Sequence, residues 1–146
     1  MTISNLYDTE QLIVDKITPL FGSNMVFIEA ESQTLGIETF TEKDCDGDRV
    51  AALVLNAGFR ADPLFGANKK QKLKTLWEVA VVCPRALYKI NGGVKLMEVI
   101  QLLKGWRVSP EIGTMEVVDD ERGFNRPDFV QDLVYLPTMF MVSTVI

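Results

Sequence analysis

Hydrophobic residues recur along the chain in two periods, one helical and one alternating. Residues 6–21, LYDTEQLIVDKITPLF, place Leu6, Ile13, Ile17 and Leu20 at helical spacing, and Asp8 with Gln11 has the form of a capping box. Pro19 and Gly22 limit the end of this helix. NMVFIEA (24–30), GIETFTEK (36–43) and RVAALVLNAGF (49–59) suit strands. The clearest strand is KLKTLWEVAVVCP, which alternates Leu73, Thr75, Trp77, Val79, Val81 and Cys83 on one face. Its second face, Lys74, Leu76, Glu78, Ala80 and Val82, is polar only at the start, as expected of a strand central in its sheet. NGGVKLMEVIQLLKGW predicts a second helix buried through Leu96, Val99, Ile100 and Leu103, entered through a Gly92-Gly93 turn and followed by Gly105. GTMEVVDDERG and DLVYLPTMFMVSTVI complete the strands, with Pro137 predicting an edge or a bulge because it cannot donate to a ladder. The expected fold is α+β: one domain over residues 1–146, with a mostly antiparallel sheet flanked by two main helices.

Composition narrows the function classes. A chain of 146 residues is long enough to bury about 68–70% of its unfolded surface as one domain. The net charge of −5 argues against a general nucleic-acid binder, which gains affinity by neutralising phosphates. No apolar run approaches a membrane span, and MTISNLYDTEQ has no basic stretch followed by an apolar one. A soluble, unprocessed chain with no membrane partner is therefore expected. The sequence contains no histidine. That removes the Ser-His-Asp and Cys-His pairings and the commonest general base, so no enzyme, no cofactor and no catalytic residue is predicted. Cys45 and Cys83 form no metal-binding spacing and are expected as reduced thiols.

One stretch does resemble a metal loop. TEKDCDGDRV (41–50) alternates Asp44, Asp46 and Asp48. A calcium loop counted from Asp44 needs glycine at its sixth position and glutamate at its twelfth, where this chain has Arg49 and Leu55. Asp46-Gly47 between two strand-like runs instead predicts the tip of a hairpin. Charge along the chain is more informative. Residues 29–48 carry seven acids against Lys43, and residues 60–74 carry five bases (Arg60, Lys69, Lys70, Lys72, Lys74) against Asp62. These are either two solvated loops or complementary patches that join copies head to tail. Glu42, Asp44, Asp46 and Asp48 form the candidate acidic loop, facing a neighbour or a channel. Leu64, Phe65 and Phe124 are apolar residues in loop-like surroundings and stand as candidate contact anchors. YKINGGVKLM lacks the phosphate-loop pattern.

Four features in order, LYDTEQLIVDKITPLF, LWEVAVVCPRAL, NGGVKLMEVIQLLKGW and LVYLPTMFMVSTVI, resemble the tail-terminator family of Mu-like contractile-tailed bacteriophages. The unit of a Trp-bearing strand followed by the GG-to-GW helix is the most specific of them. The acidic DCDGD loop belongs to no pattern of that family. The resemblance implies a structural virion protein of the tail and neck, assembled in the host cytoplasm. Such proteins form a homo-hexameric ring that caps the tail tube, stops its polymerisation and presents a surface to the head-side neck or connector protein. The tube, the sheath and the connector are the implied partners, with genome DNA only passing through a channel. An acidic wall in that channel would repel DNA phosphates. Alternatives are another neck or sheath-end component, a monomeric binding module, or a carboxylate-dependent metal hydrolase at Asp44, Asp46 and Asp48.

Overall fold

The computed structural model describes residues 5–22, 25–28, 50–63, 70–119 and 125–146. The described chain is α+β: two helices lie on a mostly antiparallel six-stranded sheet. In chain order these are α1 (Thr9–Phe21), β1 (Val26–Ile28), β2 (Ala51–Ala61), β3 (Lys72–Pro84), α2 (Gly93–Leu103), β4 (Glu116–Val118), β5 (Asp128–Val130) and β6 (Leu133–Val145). The sheet order is β1-β2-β3-β6-β4, with β5 also paired to β6. Among the described strands only β1 and β2 run parallel.

The alternation read in residues 72–84 holds along β3, which is central between β2 and β6. Trp77, Val79, Val81 and Cys83 join Val134, Leu136, Phe140 and Val142 of β6 in the cluster that faces the helices. Ile13 and Ile17 of α1 and Val99 and Leu103 of α2 close that cluster. Each such fully buried aliphatic side chain contributes about 1.5–3 kcal/mol through burial. α1 lies over β1 and β2 and touches α2, which lies over β3 and β6. The other sheet face holds a smaller cluster of Met25, Ala51, Leu53, Ala80, Val82, Leu133 and Tyr135.

Several expectations at element boundaries are corrected. The first helix begins at Thr9, not at Leu6, and Asp8 makes no side-chain cap. Gln11 donates instead to Asp15 Oδ1 at 2.8 Å. Asn5 starts the preceding turn, accepting from Tyr7 N–H on its Oδ1 (2.9 Å) and from Asp8 N–H on its carbonyl (3.2 Å). Pro137 marks neither an edge strand nor a bulge, since β6 pairs with β3 from end to end without a register shift. On its other side β6 carries β5 opposite residues 133–135 and β4 opposite residues 139–141. Met139 N–H points to that side, where it donates to Asn125 Oδ1 at 3.1 Å. Two residues earlier, the Pro137 nitrogen points the same way, into the gap between the two short strands, so no ladder bond is lost. The strand expected at residues 36–43 and the turn at Asp46-Gly47 lie outside the described residues. β2 itself has β1 on one edge and β3 on the other at residues 52–54, so those positions have no edge left for a third strand.

Gly92 and Gly93 are not a turn into the second helix. Both have helical backbone, and Gly92 ends a π-helical turn, Tyr88–Gly92, that runs directly into α2. Glycine is needed at 92 for space: a Cβ there would lie 2.6 Å from Cys83 Sγ and 3.0 Å from Leu136 Cδ1. Gly92→Ala should therefore lower stability by about 1–2 kcal/mol despite the better helix propensity of alanine. In a Cys83→Ala background the same change should turn neutral or stabilising. Urea midpoints of the four proteins of this cycle check the coupling, and additive effects would contradict the contact.

Candidate functional site

Of the residues singled out in the sequence, the structure brings together the basic ones. Arg60 is the penultimate residue of β2, Lys72 and Lys74 lie at the start of β3, and Lys70 lies just before it. Arg60 stands directly opposite Lys74 in the ladder, and Lys72 stands opposite Val145 of β6. Strand alternation therefore places Arg60, Lys72 and Lys74 on one face, the face away from α1 and α2. The backbone at this end is tied together. Asp62 N–H donates to the Lys72 carbonyl (2.9 Å), and Gln71 and Ile146 exchange N–H···O bonds of 3.0 and 2.9 Å. Gln71 Nε2 also donates to the Asp62 carbonyl at 2.8 Å.

Like charges set directly opposite one another on a sheet are unfavourable. Here one carboxylate offsets them in part: Lys74 Nζ lies 3.4 Å from Asp62 Oδ2, with both side chains about one third exposed. A pair that wet is worth about 0–1 kcal/mol. Among the described side chains, this sheet end carries four cations, Arg60, Lys70, Lys72 and Lys74, against one carboxylate, Asp62, in a chain of net charge −5.

An apolar component missed in the sequence accompanies these cations. The β2–β3 register slips between Asn56 and Phe59. Gly58 sits in this bulge at φ +96°, and its N–H donates to Asn56 Oδ1 at 2.8 Å. The bulge leaves Phe59 53% exposed, beside Thr75 on the helix-bearing face. Val145 and Ile146 are exposed at the same sheet end. Asn-Ala-Gly inside a strand pattern was the available signal, since an isolated glycine in a strand points to a bulge.

Glu42, Asp44, Asp46 and Asp48 of the candidate acidic loop lie outside the described residues. So do Lys69 of the basic loop and the expected anchors Leu64, Phe65 and Phe124. Among the described residues no three His, Cys, Asp or Glu side chains come together as a metal site. Every buried side-chain nitrogen or oxygen there has a hydrogen-bond partner, so none is left aimed at a ligand. Glu78 accepts a hydrogen bond from the Tyr135 hydroxyl on the sheet face away from the helices, at the border of the smaller cluster. No helix among the described residues is long and apolar enough to cross a membrane. What this arrangement offers chemically is a cationic sheet face with Val145 exposed among the cations and Phe59 exposed on the opposite face.

The sequence matches no protein-family model. No curated protein is detectably similar to it.

Proposed function

We propose that this protein is a structural subunit that assembles with copies of itself into a six-membered ring on the end of a phage tail tube. The ring ends polymerisation of the tube and presents a surface for joining to the head. The observation that carries this reading is the cationic sheet end, Arg60, Lys70, Lys72 and Lys74, with Val145 exposed opposite Lys72 and Phe59 exposed on the other face of the same sheet end. It belongs to a chain that is acidic as a whole, so another copy offers the complementary charge. The segment 29–48, with its seven acids, is the counterpart on the neighbouring subunit in this reading. Two different patches on one chain meet head to tail, and a head-to-tail contact closes a ring when its rotation permits. Exposed ion pairs contribute little affinity, so Val145, exposed opposite Lys72 on the cationic face, supplies apolar anchoring. The resemblance of the helix and strand order to phage tail terminators supports the same assignment.

Native mass spectrometry of the pure protein, with negative-stain imaging, tests it. Rings of about six copies are expected. Arg60→Glu, Lys70→Glu and Lys72→Glu together should abolish them at moderate salt without lowering thermal stability. Rings that persist unchanged in the triple variant would remove the basic end from the interface.

A further inference from the structure

The sheet face away from α1 and α2 is dry at one end. Leu53 of β2 and Ala80 and Val82 of β3 point to it and are fully buried, and Tyr135 of β6 is buried beside them. Phe21 and Phe27 border this cluster from the end of α1 and from β1, but β3 and β6 lie two and three strands further across the sheet. No described helix or strand lies over those side chains, since both helices close the other face. An apolar sheet face is buried only against another layer, so a further part of the chain covers this one.

The connection between β1 and β2 identifies that layer. These strands are parallel neighbours, with Ile28 level with Val54. The chain therefore leaves β1 beside Val54 and must come back to Val50 to enter β2. That return spans about 13 Å along the strands and one strand spacing, which a handful of residues would cross. Residues 29–49 supply 21. Handedness fixes the side they take. In a strand of L-residues running upward, a side chain facing the viewer has its own N–H and C=O on the right. Ala52 points its side chain to the helix-bearing face and donates its N–H to the Met25 carbonyl, on the β1 side, at 2.9 Å. Seen from the helix-free face with both strands upward, β2 therefore stands to the right of β1. A right-handed crossover between strands so placed passes in front of them, over this same face.

We infer that residues 29–49 cross over the helix-free face and supply its covering layer, with Leu35, Ile37 and Phe40 on the buried cluster. Residues 64–69 connect β2 to β3 at the opposite end of the strands, and 120–124 join β4 to β5 beyond β6, so neither has the anchor points for it. The seven acids of residues 29–48 then mark the covered end of this face. Arg60, Lys72 and Lys74 stand on the same face at its other end, with about 26 Å of β3 separating Val82 from Lys74. One face thus carries an acidic end and a cationic end, the polarity that a head-to-tail contact uses. That last step rests on the self-assembly reading above, whereas the covering of the sheet does not.

Methyl NMR with a spin label tests both steps. Thr39→Cys in a Cys45→Ser background takes one nitroxide, because Cys83 is buried. Nitroxide-bearing chains that also carry methyl isotopes, diluted into unlabelled wild type, report contacts within one chain. The Leu53 and Val82 methyls should then relax several-fold faster than those of Val54 and Val79, which lie on the same strands but face the helices. Equal effects on the two sets, or larger ones at Val54 and Val79, overturn the inference whatever the state of assembly. Nitroxide-bearing chains without isotopes, mixed with isotope-bearing chains without nitroxide, report contacts between copies. There the Val145 methyls should respond and the Val82 methyls should not. A response at Val82 in this mixture alone assigns the cover to a neighbouring chain and overturns its place here. Silence at Val145 overturns the contact between the two ends and leaves the covering of the sheet standing.

Discussion

Trp77→Ala is expected to destabilise the protein by about 3–5 kcal/mol, the largest single effect among the core positions. Trp77 is fully buried where β3 faces the helices, with Phe140 opposite it in the ladder. Its ring meets Tyr7 edge-on at 6.2 Å. Its indole Nε1–H donates to Thr75 Oγ1 at 3.1 Å, and the Thr75 hydroxyl donates to the Val142 carbonyl at 3.4 Å. Alanine removes the whole ring and leaves a cavity between rigid strands and a helix layer, which relax only in part. Trp77→Phe keeps most of the volume and loses the indole donor, and should cost about 1–2 kcal/mol. Equilibrium unfolding in urea measures both as shifts in midpoint at unchanged slope. A Trp77→Ala midpoint within the range of ordinary surface substitutions, about 0.5 kcal/mol, would contradict the burial of this ring.

Gly113→Ala should be nearly as damaging, at about 2–3 kcal/mol, for a different reason. Gly113 N–H donates to the Ser143 carbonyl at 2.8 Å, which ties the segment before β4 to the far part of β6. A Cβ on residue 113 would lie 2.6 Å from that same carbonyl oxygen. The obstructing atom is backbone in an inner strand, so relief requires moving the strand or breaking the hydrogen bond. Gly105→Ala is the matched control. Gly105 has φ +77° and nothing within 4 Å of its Cβ position, so only backbone strain of about 1 kcal/mol is incurred. The two melting temperatures compared side by side check the distinction. Equal losses would mean that contact with Ser143 does not limit position 113.

The comparison of these positions shows what a sequence carries and what it conceals. The alternation of Thr75, Trp77, Val79, Val81 and Cys83 was legible because a strand has a period of two and one side of this one is dry. The apolar filling of Ala80 and Val82 on the other side marked β3 as central, and it is. The α2 stripe of Val99 and Leu103 was legible for the same reason in helical form. Gly92 and Gly113 were visible as glycines, but what each approaches is set by residues 83 and 143, and distant pairings leave no local pattern. Pro137 was misread because a missing donor matters only on the side where a neighbour waits, and two short strands leave that side open. The parallel pairing of β1 with β2 was equally hidden, since a three-residue strand encodes no direction. In the candidate site, the basic run at residues 60–74 was legible as charge. Its convergence on one face, and the exposure of Phe59 by the bulge, depend on the register of β2 against β3.

The strand order has a consequence for how the chain is made. β6 follows every other described strand in the sequence, yet it lies inside the sheet between β3 and the pair β4 and β5. Trp77 meets Phe140 only when the two are brought together across more than sixty intervening residues. A chain leaving the ribosome carries β4 and β5 with no strand to join and one side of β3 unpaired until β6 arrives. The basic sheet end is completed by the same event, because Val145 and Ile146 close it against Lys72 and Gln71. A growing chain therefore lacks the finished sheet end until β6 has paired with β3.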